Sequence, residues 1–203
     1  MAAHDITRRG LLCGASVLAT TLIKPTTAAA SPRSVGGPRL LLLGGSQMGG
    51  AFGIYLRKAL KKSGYVVKRE FKSASGLARP DFFNWPKLTA TLLEEFQPDG
   101  VAVMFGANDA QGLRMPRGSE SRWIRWQEDG WRDEYRERVR AFADLVAPDN
   151  SRQLYWLGMP AMGERRLDSR VQIINDIYRS EIETRESGFY IETRPILADQ
   201  DGH

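Results

Sequence analysis

Leu40-Leu41-Leu42-Leu43-Gly44-Gly45-Ser46-Gln47-Met48-Gly49 is the stretch on which the fold turns. Four consecutive leucines put apolar side chains on both faces of an extended chain. A strand of that kind is covered on both sides, as central parallel strands are. Gly44 and Gly45 stop it. Phe52, Tyr55, Leu56 and Leu60 then follow at helical spacing on one face, with Gly64 as a natural stop. The stretch reads as a buried strand that turns into a helix at Ser46.

Working outward, the alternation continues to the end of the chain. Tyr65-Val66-Val67 opens a second strand, and Trp85 to Phe96 reads as a helix. Val101-Ala102-Val103-Met104-Phe105 is a third strand, apolar throughout. Gln111 to Gly130 is a long connection. Trp131 to Ala147 has helical spacing through Tyr135, Val139, Phe142 and Val146. Leu154 to Leu157 is a fourth strand, Val171 to Ile182 a helix, and Phe189-Tyr190-Ile191 a fifth strand. Strands separated by helices specify the α/β class, a three-layer α/β/α sandwich around a five-stranded parallel sheet. There is no internal repeat and no second domain.

Hydrophobic residues make up 42% of the 203 and charged residues 26%, ordinary values for one globular domain. The formal charge is +5, but Arg8, Arg9 and Lys24 against Asp5 belong to the first thirty residues, and removing them leaves about +3. The charges along Trp131–Arg140 alternate in sign, as on a solvated helix face. Nucleic-acid binding needs a patch of one sign, and none is present, so nucleic acid is not an expected partner.

Residues 1–30 read as a targeting segment. Thr7-Arg8-Arg9-Gly10-Leu11-Leu12 is a twin-arginine pattern, an apolar run reaches Ile23, and Ala28-Ala29-Ala30 supplies the small residues a signal peptidase needs. The run is short of the roughly 20 residues of a spanning helix, so cleavage is expected rather than stable membrane insertion. The expected location is periplasmic or secreted, reached by twin-arginine export of a folded protein. Residues 31–38 form a Ser/Gly/Pro linker. The sole cysteine, Cys13, falls inside the export segment, so the mature chain holds no disulfide and no cysteine metal site. No metal-binding cluster or cofactor motif is visible, and none is expected.

Ligand sites in open parallel sheets gather at the carboxyl ends of the strands. Three unusual stretches fall there. Gly44 to Gly49 follows strand one, Ser73-Ala74-Ser75-Gly76-Leu77 follows strand two, and Gly106-Ala107-Asn108-Asp109 follows strand three. Ser46 sits where amides at a helix start favour negative charge, which suits a nucleophile; a plain helix cap is the alternative. Gly76 can offer an unobstructed backbone N–H to an oxyanion, or simply make a turn. Asn108 can aim its carboxamide at the same point, or tie its own loop. Asp109 is assigned to turn or cap duty. The stretch is neither a G-x-S-x-G elbow nor a dinucleotide fingerprint, which disfavours a nucleotide-binding module.

These three blocks, in this order, resemble blocks one to three of the SGNH/GDSL hydrolases. Lys72–Pro86, Gly158-Met159-Pro160 and Ala198-Asp199-Gln200-Asp201-Gly202 are similar to an exported bacterial branch long known only as a domain of unknown function. The resemblance covers about residues 39–202, with Gly-x-Asn-Asp its most specific element. It implies a flavodoxin-like sheet, a nucleophilic Ser46, and an oxyanion held by the Ser46 and Gly76 N–H groups and the Asn108 carboxamide. Two departures stand out. Gly45 replaces the usual aspartate before the serine. The family's base is a histidine in an Asp-x-x-His block after strand five, whereas this chain has only His4 and His203. Gln200 stands three residues before His203, so the expectation is a chain cut short of its base rather than one using His203. The implied activity is that of an exported serine esterase on a small-molecule or glycan ester, acylated envelope carbohydrate being the favoured substrate, with weak turnover. A non-catalytic glycan-binding or scaffold protein on the same fold is the other reading. Trp123, Trp126 and Trp131 either wall the site as sugar-stacking platforms or pack into the core.

Overall fold

A computed structural model describes residues 36–197. Residues 1–35, on which the expected export segment and the start of the expected linker fall, and residues 198–203 with His203 lie outside the described residues. In chain order the elements are β1 (Arg39–Gly44), α1 (Ser46–Gly49), α2 (Ala51–Lys62), β2 (Val66–Phe71), α3 (Trp85–Phe96), β3 (Gly100–Met104), β4 (Leu113–Arg114), β5 (Trp123–Ile124), α4 (Trp131–Val146), β6 (Gln153–Leu157), α5 (Arg165–Ile182), β7 (Gly188–Ile191) and α6 (Arg194–Leu197). One-turn 3₁₀ helices span Ala107–Asp109 and Pro148–Asn150. Five strands form a single parallel sheet in the order β2-β1-β3-β6-β7. That is the flavodoxin-like 2-1-3-4-5 order when the sheet strands are counted along the chain.

The leucine run does what its pattern requires. Leu41 and Leu43 point to one layer with α3, α4 and most of α5, while Leu40 and Leu42 point to the other with α1 and α2. All four are buried. Helices on both faces make the three-layer α/β/α sandwich expected from the alternation. The first core is rich in rings: Trp85, Trp131, Trp156, Phe105, Phe142, Tyr135 and Tyr178 are all buried there. Burying a large apolar side chain is worth about 1.5–3 kcal/mol, so this layer carries much of the stability. No described helix is long and apolar enough to cross a membrane.

Boundaries differ from the periodicity in ways local chemistry explains. β2 runs on to Phe71, because its polar Lys68, Arg69 and Glu70 form an edge strand whose outer side meets solvent. α5 starts at Arg165, six residues early, where the Glu164 carboxylate accepts from the Arg166 and Leu167 N–H groups at 2.8 Å each. Tyr55 is 49% exposed, off the stripe that Leu56 and Leu60 bury. The long connection holds a small antiparallel hairpin, β4 with β5, pairing Leu113 with Ile124 and Arg114 with Trp123. Two-residue strands carry no readable period.

Candidate active site

Because the sheet is parallel, the three singled-out loops leave it at one end, and the register makes them neighbours. Gly44 lies opposite Phe71 on one side and Met104 on the other. Lys72 N donates to Gly44 O at 3.1 Å, and Gly45 N to Met104 O at 3.2 Å. The gaps between loops are filled to contact. A Cβ on Gly45 would lie 3.3 Å from both Asn108 Nδ2 and Ser75 O, tighter than ordinary packing. Glycine at 45 lets loops two and three close against the end of β1, and an aspartate there would have to push them apart.

Ser46 is exposed and begins α1, its hydroxyl 3.2 Å from Gln47 Oε1. α1 is four residues long and ends at Gly49; at Gly50 the backbone turns extended before α2. The anion-favouring feature is therefore the free N–H groups of one short turn, not the macrodipole of the long helix read from the sequence.

The second loop is clamped from four directions. Asn108 Nδ2 donates to Ser75 O at 3.2 Å, and Trp85 Nε1 to Ser75 Oγ at 2.9 Å. Arg138 reaches over from α4 to Leu77 O and Ala78 O at 3.0 Å each. Asp109 supplies the fourth tie, accepting from Ala78 N at 2.7 Å through Oδ1 and from the Tyr135 hydroxyl at 2.8 Å through Oδ2. Tyr135 in turn lies 2.6 Å from the Tyr178 hydroxyl. Gly76 sits flat on this carboxylate, and a Cβ there would stand 2.3 Å from each of its oxygens. Gly76 N–H donates to no acceptor among the described residues. One hydrogen of the Asn108 amide is engaged by Ser75 O, which leaves the other to donate.

Asp109 thus departs from the turn or cap duty read from the sequence. Its side chain is buried and bonds to a loop 31 residues away. Burial pushes its carboxyl up to about 6, against the pull of the Ala78 N–H, the Tyr135 hydroxyl and nearby Arg138. Both tyrosines are held well above the ordinary phenol range, first by burial and next by the Asp109 charge.

The structure brings Ser46, Gly76 and Asn108 to one end of the sheet around Gly45. Ser46, exposed, follows Gly45 directly in the chain, and the Gly76 N–H is a donor without an acceptor among the described residues. His203 and His4 lie outside the described residues, which contain no histidine. Among the described residues no His, Cys, Asp and Glu side chains group as a metal site. The tryptophans divide: Trp131 is buried and donates to Gln111 O at 2.8 Å, Trp126 packs edge-on against it at 4.3 Å, and Trp123 is 39% exposed. Trp131 is core, Trp126 is half-buried against it, and Trp123 faces solvent.

A family model described as "Protein of unknown function (DUF459)" matches residues 39–203. No curated protein matches the chain.

Proposed function

The chain belongs to the DUF459 family, and from that premise we propose that it is an exported serine acylhydrolase of the SGNH type, acting on acylated carbohydrate of the cell envelope. The observation that supports this most is the meeting of the three strand-end loops at Gly45, one residue before the exposed Ser46, where Asn108 Nδ2 bonds Ser75 O. In the proposed reaction Ser46 Oγ adds to the ester carbonyl carbon while a base takes its proton. The oxyanion is held by the N–H groups of Ser46 and Gly76 and by the free hydrogen of Asn108 Nδ2. Breaking the carbon–alkoxy bond releases the sugar hydroxyl, which leaves with that proton, and water then frees the acid from the acyl-serine.

The described residues contain no histidine to serve as that base. A serine without an imidazole keeps only what binding and the oxyanion donors provide, about 10³–10⁴-fold over water. Expected turnover of p-nitrophenyl acetate by the 203-residue chain is therefore low. Loss of all turnover in both Ser46→Ala and His203→Ala would overturn that expectation and make His203 the base. The hydrolase reading itself is tested by a fluorophosphonate probe, with an adduct expected on Ser46 by peptide mass spectrometry and none in Ser46→Ala. The second reading, a glycan-binding protein on the same fold, is in keeping with described residues that hold no histidine; glycan binding by a folded chain whose Ser46 never labels would establish it.

A further inference from the structure

The β4–β5 hairpin leaves the candidate site directly. Gly112 is four residues beyond Asn108, hence within about 14 Å of it along the backbone. Against this hairpin lies an open cleft of about 560 Å³, lined by Gly112, Ser121, Arg122, Trp123, Arg125 and Glu128. At Gly112, one of the lining residues, any Cβ would already meet Ile124 O at 3.3 Å.

The charges in the cleft are not neutralised by one another. Among the described residues, neither the Arg122 nor the Arg125 guanidinium makes a hydrogen bond or ion pair. Glu128 turns its carboxylate to the Arg125 backbone N–H at 2.6 Å instead. Trp123, by contrast, is held firmly. The Arg79 and Arg114 guanidiniums stand 4.9 and 5.2 Å from its ring, and both are ion-paired to Asp81, at 2.8 and 3.9 Å. The hairpin base is tied down as well, since Arg138 Nη2 donates to Arg114 O at 2.8 Å. An indole 39% exposed that lines one cleft with two uncommitted guanidiniums matches a sugar ring that carries negative charge. The ring's C–H face packs on the indole, and its carboxylate, sulfate or phosphate is taken by the arginine forks. A nucleic acid fits less well, because Glu120, Glu128 and Asp129 interrupt the positive charge along this segment.

We propose that this cleft is a binding subsite for an acidic sugar unit of the glycan, recognised by Arg122, Arg125 and Trp123. The part of the proposal that links it to catalysis rests on the acylhydrolase reading: a short oligosaccharide anchored here carries its acylated unit to Ser46.

The test is binding by the full chain, followed by tryptophan fluorescence and calorimetry. The probes are tetragalacturonate, neutral maltotetraose, and a single-stranded DNA oligomer of matching charge. Tetragalacturonate is expected to bind at least tenfold tighter than maltotetraose and to weaken as salt rises. Arg122→Ala, Arg125→Ala and Trp123→Ala are each expected to lose at least tenfold, while Arg57→Ala, an exposed arginine on α2, changes nothing. Arg122→Lys, which keeps the charge but not the fork, separates recognition of geometry from simple attraction and is expected to recover only part of the affinity. Equal binding of acidic and neutral oligomers, DNA binding as tight as tetragalacturonate, or wild-type affinity in folded variants overturns the subsite. Fluorophosphonate labelling of Ser46 keeps the two readings apart. Binding without labelling leaves the subsite standing and removes the hydrolase; labelling without binding does the reverse.

Discussion

Asp109 shows how much one side chain does here. A carboxyl whose folded-state pKa is raised to about 6, from an unfolded value of 3.8, binds its proton more tightly when folded. Between about pH 4 and pH 6 its contribution therefore makes the protein less stable as pH rises, by about 3 kcal/mol in all for a shift of roughly two units. Above pH 6 that cost is fully present. Asn at 109 keeps the shape, accepting from Ala78 N and donating to the Tyr135 oxygen, without the charge. Asp109→Asn is expected to be more stable than the wild type at pH 7, with the advantage vanishing near pH 4. Urea unfolding at one-unit pH steps measures the difference between the two curves, which removes the opposing contributions of other carboxylates. A flat difference curve contradicts a raised carboxyl. None of this was legible locally. The Gly-x-Asn-Asp run marked the loop, but the acceptor role of Asp109 depends on Ala78 and Tyr135, which stand 31 and 26 positions away.

Elements were legible where they are long and amphipathic. α3 and α4 begin where expected, α3 because Asn84 Oδ1 accepts from Lys87 N at 3.0 Å and Pro86 suits a first turn. Short elements were not, and α6 is the clearest case. Four residues cannot nucleate a helix by themselves, so α6 depends on its tether, two bonds from Arg194 to Asp168 on α5 at 2.7 and 3.0 Å. Arg194 holds the Asp168 carboxyl well below the usual carboxylate range, helped by the Met162 N–H and Gln172. A depressed carboxylate stabilises above its unfolded pKa and loses that contribution as pH falls toward its folded one. Arg194→Ala is expected to cost about 1 kcal/mol at pH 7, since the pair is only partly buried. The loss should shrink as pH drops below about 4, as read by thermal unfolding at both pH values. An unchanged melting temperature at pH 7 would show that α6 is held by other contacts.

Across the whole molecule, stability converges on the aromatic layer. Phe105 follows β3 and touches Trp85, Phe142 and Trp156, with ring centroids 5.0, 5.5 and 6.2 Å away. It joins the sheet to α3 and α4, and lies only three residues before Asn108. Phe105→Ala is expected to cost about 3–5 kcal/mol in chemical denaturation, through lost burial and the cavity left behind. A cost below 1 kcal/mol would mean that this layer collapses around the gap. The alternation of apolar runs and amphipathic stretches was enough by itself to set the α/β class, the five sheet strands and the end of the sheet where the candidate site lies, because strand period, helix period and parallel connectivity are local or directional properties. Packing alone decided that Gly45 lets two loops close on the end of β1, that Asp109 braces Gly76, and that Trp131 is core while Trp123 meets solvent. Those outcomes depend on groups brought together across tens of residues by the layers, and no local pattern encodes which side chain will reach which partner.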